Sequence, residues 1–168
     1  MAASPLNPVP AWGAANGLID LRKPVSTSSS EEALDRLLIA ETVNRYGMAY
    51  DERREDVLSD CFTEDGVFDG SVAGAFEVGP YEGRDAVVQW LKDIWETQAD
   101  QRRHCVLNLI VDDLAPESAT VTAYMVLTGA ENGAARLITT GFYRLNMAKE
   151  DDGIWRIAHF SAGFDAAF

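Results

Sequence analysis

Four long segments rich in Val, Ile, Thr and aromatic residues fill the second half of the chain, at positions 102–112, 119–128, 136–147 and 154–164. The connections between them read APES, GAENG and KEDDG, each typical of a hairpin turn. Helical patterns come before these segments instead of alternating with them. This order predicts an α+β fold in which helices pack on one face of a mostly antiparallel sheet.

Three helical patterns precede the strands. The first runs from about Glu31 to Tyr50, after a capping box formed by Ser28 or Ser29 with the glutamate three residues later. Its apolar residues recur every three or four positions, at Ile39, Val43, Tyr46 and Tyr50. A short second helix around positions 57–62 and a third with Asp85 as its N-cap follow.

Residues 1–30 have a different composition, because they hold four of the six prolines together with several glycines and serines. Proline and glycine exclude long helices. We therefore expect an N-terminal arm at 1–30 and a single domain at 31–168. Scattered apolar residues such as Trp12 indicate that the arm packs on its own domain or on a neighbouring subunit.

The charge balance narrows the range of partners. The chain has 27 acidic and 14 basic residues, a net charge of −13. Nucleic acids and anionic membranes bind clustered Lys and Arg, so neither is an expected partner. No apolar run approaches the roughly 18 residues of a membrane span, and no secretion signal is apparent. A cytoplasmic protein is the expectation.

Metal and cofactor motifs are missing from the sequence. It contains two histidines and two cysteines, without the spacing of a metal site. The glycine-rich passage at 70–83 has neither a dinucleotide-binding nor a Walker pattern. We therefore expect a protein that works without metal or cofactor. Asp51, at the end of the first helix, is either a turn residue or a base at the mouth of a pocket.

Several short motifs occur in a distinctive order: FTEDGVF, GRDAV, RHxxxN and DGIWRI, all after the helix that ends at Asp51. This order resembles the SnoaL-like branch of the NTF2-like superfamily over residues 31–165. The resemblance implies an α+β cone, in which a curved, mostly antiparallel sheet wraps with three helices around a deep apolar pocket.

Within that superfamily the chain is most similar to scytalone dehydratase, a hexachlorocyclohexane dehydrochlorinase and a bile-acid dehydratase, which eliminate water or HCl without a cofactor. The resemblance implies that His104 is a general base or acid and that Asp51 orients and charges it. A neutral imidazole is a base near pH 7, which suits this chemistry. Tyr50 matches the Tyr-Asp pair of scytalone dehydratase and would polarise a substrate oxygen. The alternatives for His104 and Asp51 are a core histidine and a helix-ending residue.

Strand alternation extends this site. If His104 faces the pocket, Val106, Asn108 and Ile110 face it too, and Asn108 is a candidate substrate contact. An ungapped match from DGIW places Arg144 at a pocket asparagine of scytalone dehydratase, where it would anchor an anionic or phenolic oxygen.

The same match predicts further inward residues. Thr140 and Phe142 share the face of Arg144, and the last strand points four residues inward and His159 outward. The four are Arg156, Ala158, Phe160 and Ala162. The aromatic candidates for substrate binding are Tyr46, Phe62, Trp90, Phe142 and Phe160. Met125 replaces a second pocket histidine of scytalone dehydratase, so a different substrate is expected.

These observations predict a cofactor-independent lyase acting on a small aromatic or polycyclic substrate. Proton abstraction would lead to loss of water, of halide, or of a small carbonyl fragment such as formaldehyde in a retro-aldol cut. The alternatives are a polyketide cyclase or isomerase of the same fold and a non-catalytic binding or assembly module. A strand face with Tyr124, Leu127 and Tyr143 exposed would favour a homodimer or homotrimer.

Overall fold

The computed structural model describes residues 10–26 and 29–167. Four helices are present in these residues: α1 (Trp12–Ala15), α2 (Ser30–Asp51), α3 (Glu55–Asp60) and α4 (Arg84–Thr97). The strands are β1 (Phe62–Val72), β2 (Phe76–Glu82), β3 (Gln101–Asp112), β4 (Ser118–Glu131), β5 (Ala134–Lys149) and β6 (Trp155–Phe164). None of the helices in the described ranges has the length and apolarity that a membrane crossing needs.

The six strands form one sheet in the order β2-β1-β6-β5-β4-β3. All neighbours are antiparallel except β1 and β6, which are parallel. Helix α2 packs across β3 and β6, and α4 packs on β1 and β2, so both helices cover the same face of the sheet. This confirms the predicted α+β fold with a curved, mostly antiparallel sheet.

The start of α2 follows from its cap. Ser29 is the N-cap, and its side chain accepts a hydrogen bond from the backbone N–H of Glu32 at 3.1 Å. The other candidate, Ser28, lies outside the described residues. At α4 the N-cap is Gly83, and Asp85 lies in the first turn instead, where a carboxylate still favours the positive end of the helix.

The glycine-rich passage forms the β1–β2 hairpin. The sequence TEDG at 63–66, typical of a turn, lies inside β1. The parallel pairing with β6 is interrupted there, since Phe62 pairs with Ile157 and the next regular pair is Val67 with His159. The turn-forming residues therefore lie within the strand at a point where its pairing with β6 is irregular.

Two further irregularities decide which side chains face the helices. In β3 the pairing shifts between Leu107 and Ile110, and Asn108 has a φ of 52°. In β6 Ala158 is left without a partner, because Asn146 pairs with His159 while Met147 pairs with Ile157. Such a bulge reverses the side-chain alternation beyond it.

Part of the N-terminal segment lies on the outer face of the sheet, opposite the helices. The Trp12 ring in α1 is 6% exposed and packs on Phe142, with ring centroids 5.1 Å apart. Its Nε1 donates to Asp165 at 2.7 Å. The expected contact of the arm with its own domain is therefore present in this segment. The division between arm and domain at residue 30 stays a prediction.

Candidate active site

Asp51 and His104 form a hydrogen-bonded pair between the last residue of α2 and strand β3. The Oδ1 atom of Asp51 lies 2.6 Å from Nδ1 of His104. The second oxygen, Oδ2, accepts the backbone N–H of the same histidine at 2.7 Å. One carboxylate thus fixes both the backbone and the ring of His104.

Both side chains of the pair are shielded from water, since 6% of Asp51 and 10% of His104 is exposed. A carboxylate beside Nδ1 favours the tautomer with the proton on that nitrogen. The other ring nitrogen, Nε2, has no hydrogen-bond partner among the described residues. Its lone pair is therefore available to a molecule in the adjoining cavity.

That cavity has a volume of about 450 Å³, within the range of small-molecule sites. Its wall is mostly apolar and comes from α2, α4 and the concave face of the sheet. The predicted site residues Tyr46, Tyr50, Trp90 and His104 line it. Residues that were not predicted to belong to the site complete the wall, among them Phe68, Leu91, Ile94, Leu127, Tyr143 and Phe164.

Tyrosine hydroxyls are part of this wall. The Tyr50 ring packs edge-on against His104, with centroids 4.7 Å apart, and its hydroxyl lies 3.3 Å from Oε1 of Gln98, to which it donates. Burial raises the pKa of Tyr50 to about 12. Burial also raises the pKa values of Tyr46 and Tyr143 well above their ordinary range. All three hydroxyls therefore remain protonated at neutral pH.

Two predicted substrate contacts lie one layer behind the cavity wall. Phe62 and Phe160 are fully buried and do not line the cavity. The Tyr46 ring packs on both of them, with centroid distances of 5.9 Å to Phe62 and 4.7 Å to Phe160. They support the wall and do not face a ligand. Trp90 is held in the wall by stacking on Tyr81 at 4.4 Å.

The prediction that Arg144 and Phe142 face the pocket is wrong. Both lie on the outer face of β5, where Phe142 packs under Trp12 and Arg144 lies 3.5 Å from the carbonyl of Gly17. Thr140, on the same face, bonds to Asp165. The inward residues of this strand are Tyr143, Leu145 and Met147. The ungapped match was displaced by one residue on β5, and a slip of one residue exchanges the two faces of a strand.

The bulges account for the other errors of orientation. Asn108 and Ile110 are exposed because the alternation that starts at His104 changes at Asn108. In the part of β6 that precedes the bulge, the side chains that point into the core are Trp155 and Ile157. Arg156 instead bonds Glu150 and Asp152, and Ala158 is the bulged residue, while Phe160 and Ala162 do belong to the core.

The expected apolar strand face is also only partly correct. Leu127 and Tyr143 are 3% and 2% exposed and lie on the inner face, whereas Tyr124 is 54% exposed on the outer face. The argument for a homodimer or homotrimer therefore loses two of its three residues. The oligomeric state stays a prediction.

Arg102 is the functional candidate that the sequence reasoning missed. It lines the cavity two residues before His104, so the strand alternation that extended the site forward from His104 would also have found it backward. Its Nε lies 2.6 Å from Asp100, and its Nη1 is buried without a hydrogen-bond partner. Thr97 and Gln98, which precede β3, are further polar residues of the cavity wall.

Residues 31–161 match the SnoaL-like domain. The chain belongs to this family. The SnoaL-like match extends from α2 into β6. It includes Asp51, His104 and all the residues that line the cavity except Ala162 and Phe164. A search of curated proteins finds no match.

Solved structures similar to this SnoaL-like chain agree on its fold. A protein of unknown function with a cystatin-like fold from Nostoc punctiforme superposes with a TM-score of 0.69 at 23% identity, covering 79% of this chain and 92% of that one. ActVI-ORFA from Streptomyces coelicolor has a TM-score of 0.67 at 18% identity, covering 77% and 97%. A protein described as the β subunit of an aromatic-ring-hydroxylating dioxygenase, from Novosphingobium aromaticivorans, has a TM-score of 0.71 at 13% identity, covering 83% and 94%. At these identities the likeness concerns the fold alone.

Proposed function

We propose that this SnoaL-like protein is a cofactor-independent lyase for a small aromatic or polycyclic substrate. The observation that carries the proposal is the Asp51–His104 pair, with Nε2 of His104 unpartnered beside an apolar cavity. A shielded imidazole that a carboxylate orients can act as a general base. The aromatic wall at Tyr46, Trp90 and Tyr143 suits a flat ligand.

In an elimination, Nε2 of His104 takes a proton from a substrate carbon, and the electron pair of that C–H bond forms a double bond as the leaving group departs. The imidazolium, stabilised by the Asp51 carboxylate, then returns the proton to a departing hydroxyl, which leaves as water. A departing halide leaves as the anion and the proton is lost to solvent. Tyr50, which stays protonated, can donate to a carbonyl or hydroxyl oxygen of the substrate.

In a retro-aldol cut, Nε2 instead takes the proton of a β-hydroxyl group. The oxygen electrons form the new C=O bond, the C–C bond breaks, and a small carbonyl fragment such as formaldehyde leaves. The imidazolium then protonates the carbanion that remains, so no oxidant or reductant is needed. The same dyad would also serve a cyclase or an isomerase, and the reaction product distinguishes these outcomes.

A substrate panel tests the proposal directly. Aromatic β-hydroxy ketones, 1,3-diols and alkyl halides would be incubated with the wild type, His104→Ala and Asp51→Asn, with no cofactor added and product mass as the readout. We expect turnover of at least one class by the wild type and a loss of about 10²-fold or more in both variants. Equal turnover by all three proteins would exclude the dyad. A product of unchanged mass would indicate isomerisation or cyclisation in place of cleavage.

A further inference from the structure

The guanidinium of Arg102 lies at the cavity, and the proposed elimination chemistry does not use it. Its side chain is 13% exposed, and its Nη1 is sealed from water without a hydrogen-bond partner. Arg102 lines the cavity, so the part of its guanidinium that remains accessible can donate a hydrogen bond to a ligand oxygen there.

The position of the guanidinium is fixed by a buried carboxylate. Asp100, whose side chain is 4% exposed, accepts from Nε of Arg102 at 2.6 Å. Its other oxygen accepts from Arg136 at 2.9 Å. Gly129 on β4 leaves room for this carboxylate, because a β-carbon at that position would collide with it. The arrangement preorganises Arg102 before a ligand arrives.

The charge of this group is not balanced. Asp100 shares its single negative charge between Arg102 and Arg136, and the described residues supply no second carboxylate to either arginine. The group formed by Asp100, Arg102 and Arg136 therefore carries one net positive charge, in a chain whose net charge is −13. In a partly desolvated site such a charge acts on a ligand far more strongly than it would in water.

We propose that the guanidinium of Arg102 binds an anionic oxygen of the substrate, a carboxylate or a phenolate on the aromatic framework. This inference rests on the proposed function for the identity of the cavity as a substrate site. Residues 102 and 104 point to the same face, and alternate residues of a strand are about 6.6–6.8 Å apart. The anionic group would thus lie about one aromatic ring away from the carbon or hydroxyl that His104 deprotonates.

Binding measured by calorimetry tests this inference without turnover. The probes are 2-naphthoate and 2-naphthamide, which share a shape but differ in charge. The wild type should bind the carboxylate about tenfold or more tightly than the amide, since a hydrogen bond to a charged group contributes about 1.5–3 kcal/mol. Arg102→Met should remove this preference. Arg103→Met is the matched control, because Arg103 is its neighbour in sequence but is exposed and paired with Glu52.

Two further variants keep the test decisive. Arg136 is 59% exposed, so Arg136→Met should fold even if Arg102→Met does not, and it should lower the preference for naphthoate because Asp100 then neutralises Arg102. His104→Ala should lose turnover but keep a preference for naphthoate over naphthamide, which separates this inference from the proposed function. Equal affinities for naphthoate and naphthamide in the wild type, no binding of naphthoate at all, or a preference that survives both arginine variants would overturn the inference.

Discussion

The sheet carries a histidine–aspartate pair on each of its two faces. On the inner face, Nδ1 of His104 lies 2.6 Å from Asp51. On the outer face, Nε2 of His159 lies 2.7 Å from Asp69. The second oxygen of each carboxylate is also bonded, to the backbone of His104 in one case and to the hydroxyl of Ser161 in the other. By hydrogen-bond geometry alone the two pairs are nearly equivalent.

Their surroundings differ. The inner side chains are 10% and 6% exposed, whereas the outer ones are 38% and 36% exposed. Water screens the outer pair, which weakens its hydrogen bonds and its effect on any bound molecule. In the outer pair, Nε2 of His159 is already the nitrogen that bonds Asp69 and also lies 3.4 Å from Ser161. The inner pair combines a shielded carboxylate with a ring nitrogen beside a cavity, whereas the carboxylate of the outer pair is accessible to water.

The largest difference should appear when each histidine is removed. We expect His104→Ala to lower kcat/KM by about 10²–10⁴-fold, the usual contribution of general acid–base catalysis. His159→Ala should stay within about twofold of the wild type. Steady-state kinetics on the best substrate of the panel measures both, with circular dichroism to verify folding. A comparable loss in both variants would show that the outer pair acts in the reaction.

The two aspartates provide the next test. Asp51→Asn should lower kcat by about 10²-fold or more, because an amide neither holds the Nδ1–H tautomer nor stabilises the imidazolium. Its effect on KM should be small, since Asp51 does not contact the substrate in the proposed mechanism. Asp69→Asn is the isosteric control and should leave kcat unchanged. Steady-state kinetics on the same substrate measures both variants, and an equal kcat in the wild type and Asp51→Asn would contradict the role of Asp51.

The two elements that carry the inner pair could be predicted from the sequence for a physical reason. The end of α2 follows from its periodicity and its charged continuation, and the strand that contains His104 follows from its composition. That Asp51 and His104 meet was implied by the resemblance to the SnoaL-like branch and does not follow from these local patterns.

The face of the sheet to which each side chain of β3, β5 and β6 points could not be predicted in this way. The bulges at Asn108 and Ala158 arise from pairing with neighbouring strands, and nothing in the local alternation signals them. The alternation reverses at these bulges, which misplaced Ile110 on β3 and Arg156 on β6, whereas Arg144 on β5 was misplaced by a slip of one residue in the ungapped match. Arg102 lies before the first bulge, so alternation holds between it and His104, and a search in both directions would have found it.

The outer face should contribute stability where the inner face contributes chemistry. Trp12→Ala removes a buried ring from Phe142 and a hydrogen bond to Asp165, so we expect the free energy of unfolding to fall by about 3 kcal/mol. Leu21→Ala, at a position that is 60% exposed in the same N-terminal segment, should change it by less than about 0.5 kcal/mol. Urea denaturation measures both. Equal stabilities of the two variants would mean that the Trp12 contact contributes nothing, and a large loss of kcat in Trp12→Ala would undermine the division between the faces.

The smallest expected effect is on the pH dependence of the free energy of unfolding, which reports how well the inner face is shielded from water. Burial raises the pKa of Tyr50 to about 12, against about 10 in an unfolded chain. Below pH 10 both states are protonated and the shift has no effect on stability. Between about pH 10 and 12 the unfolded chain loses the proton first, so the free energy of unfolding falls as the pH rises, by about 1–2 kcal/mol for this residue.

In Tyr50→Phe the decrease in the free energy of unfolding should be smaller by that amount. The remaining decrease should come from other buried groups such as Tyr46 and Tyr143. Denaturation curves at pH 9, 10 and 11, with absorbance of tyrosinate near 295 nm, measure the slope. An identical slope in the wild type and Tyr50→Phe would mean that water reaches the Tyr50 hydroxyl, and the desolvation that distinguishes the inner pair from the outer one would then be absent beside His104.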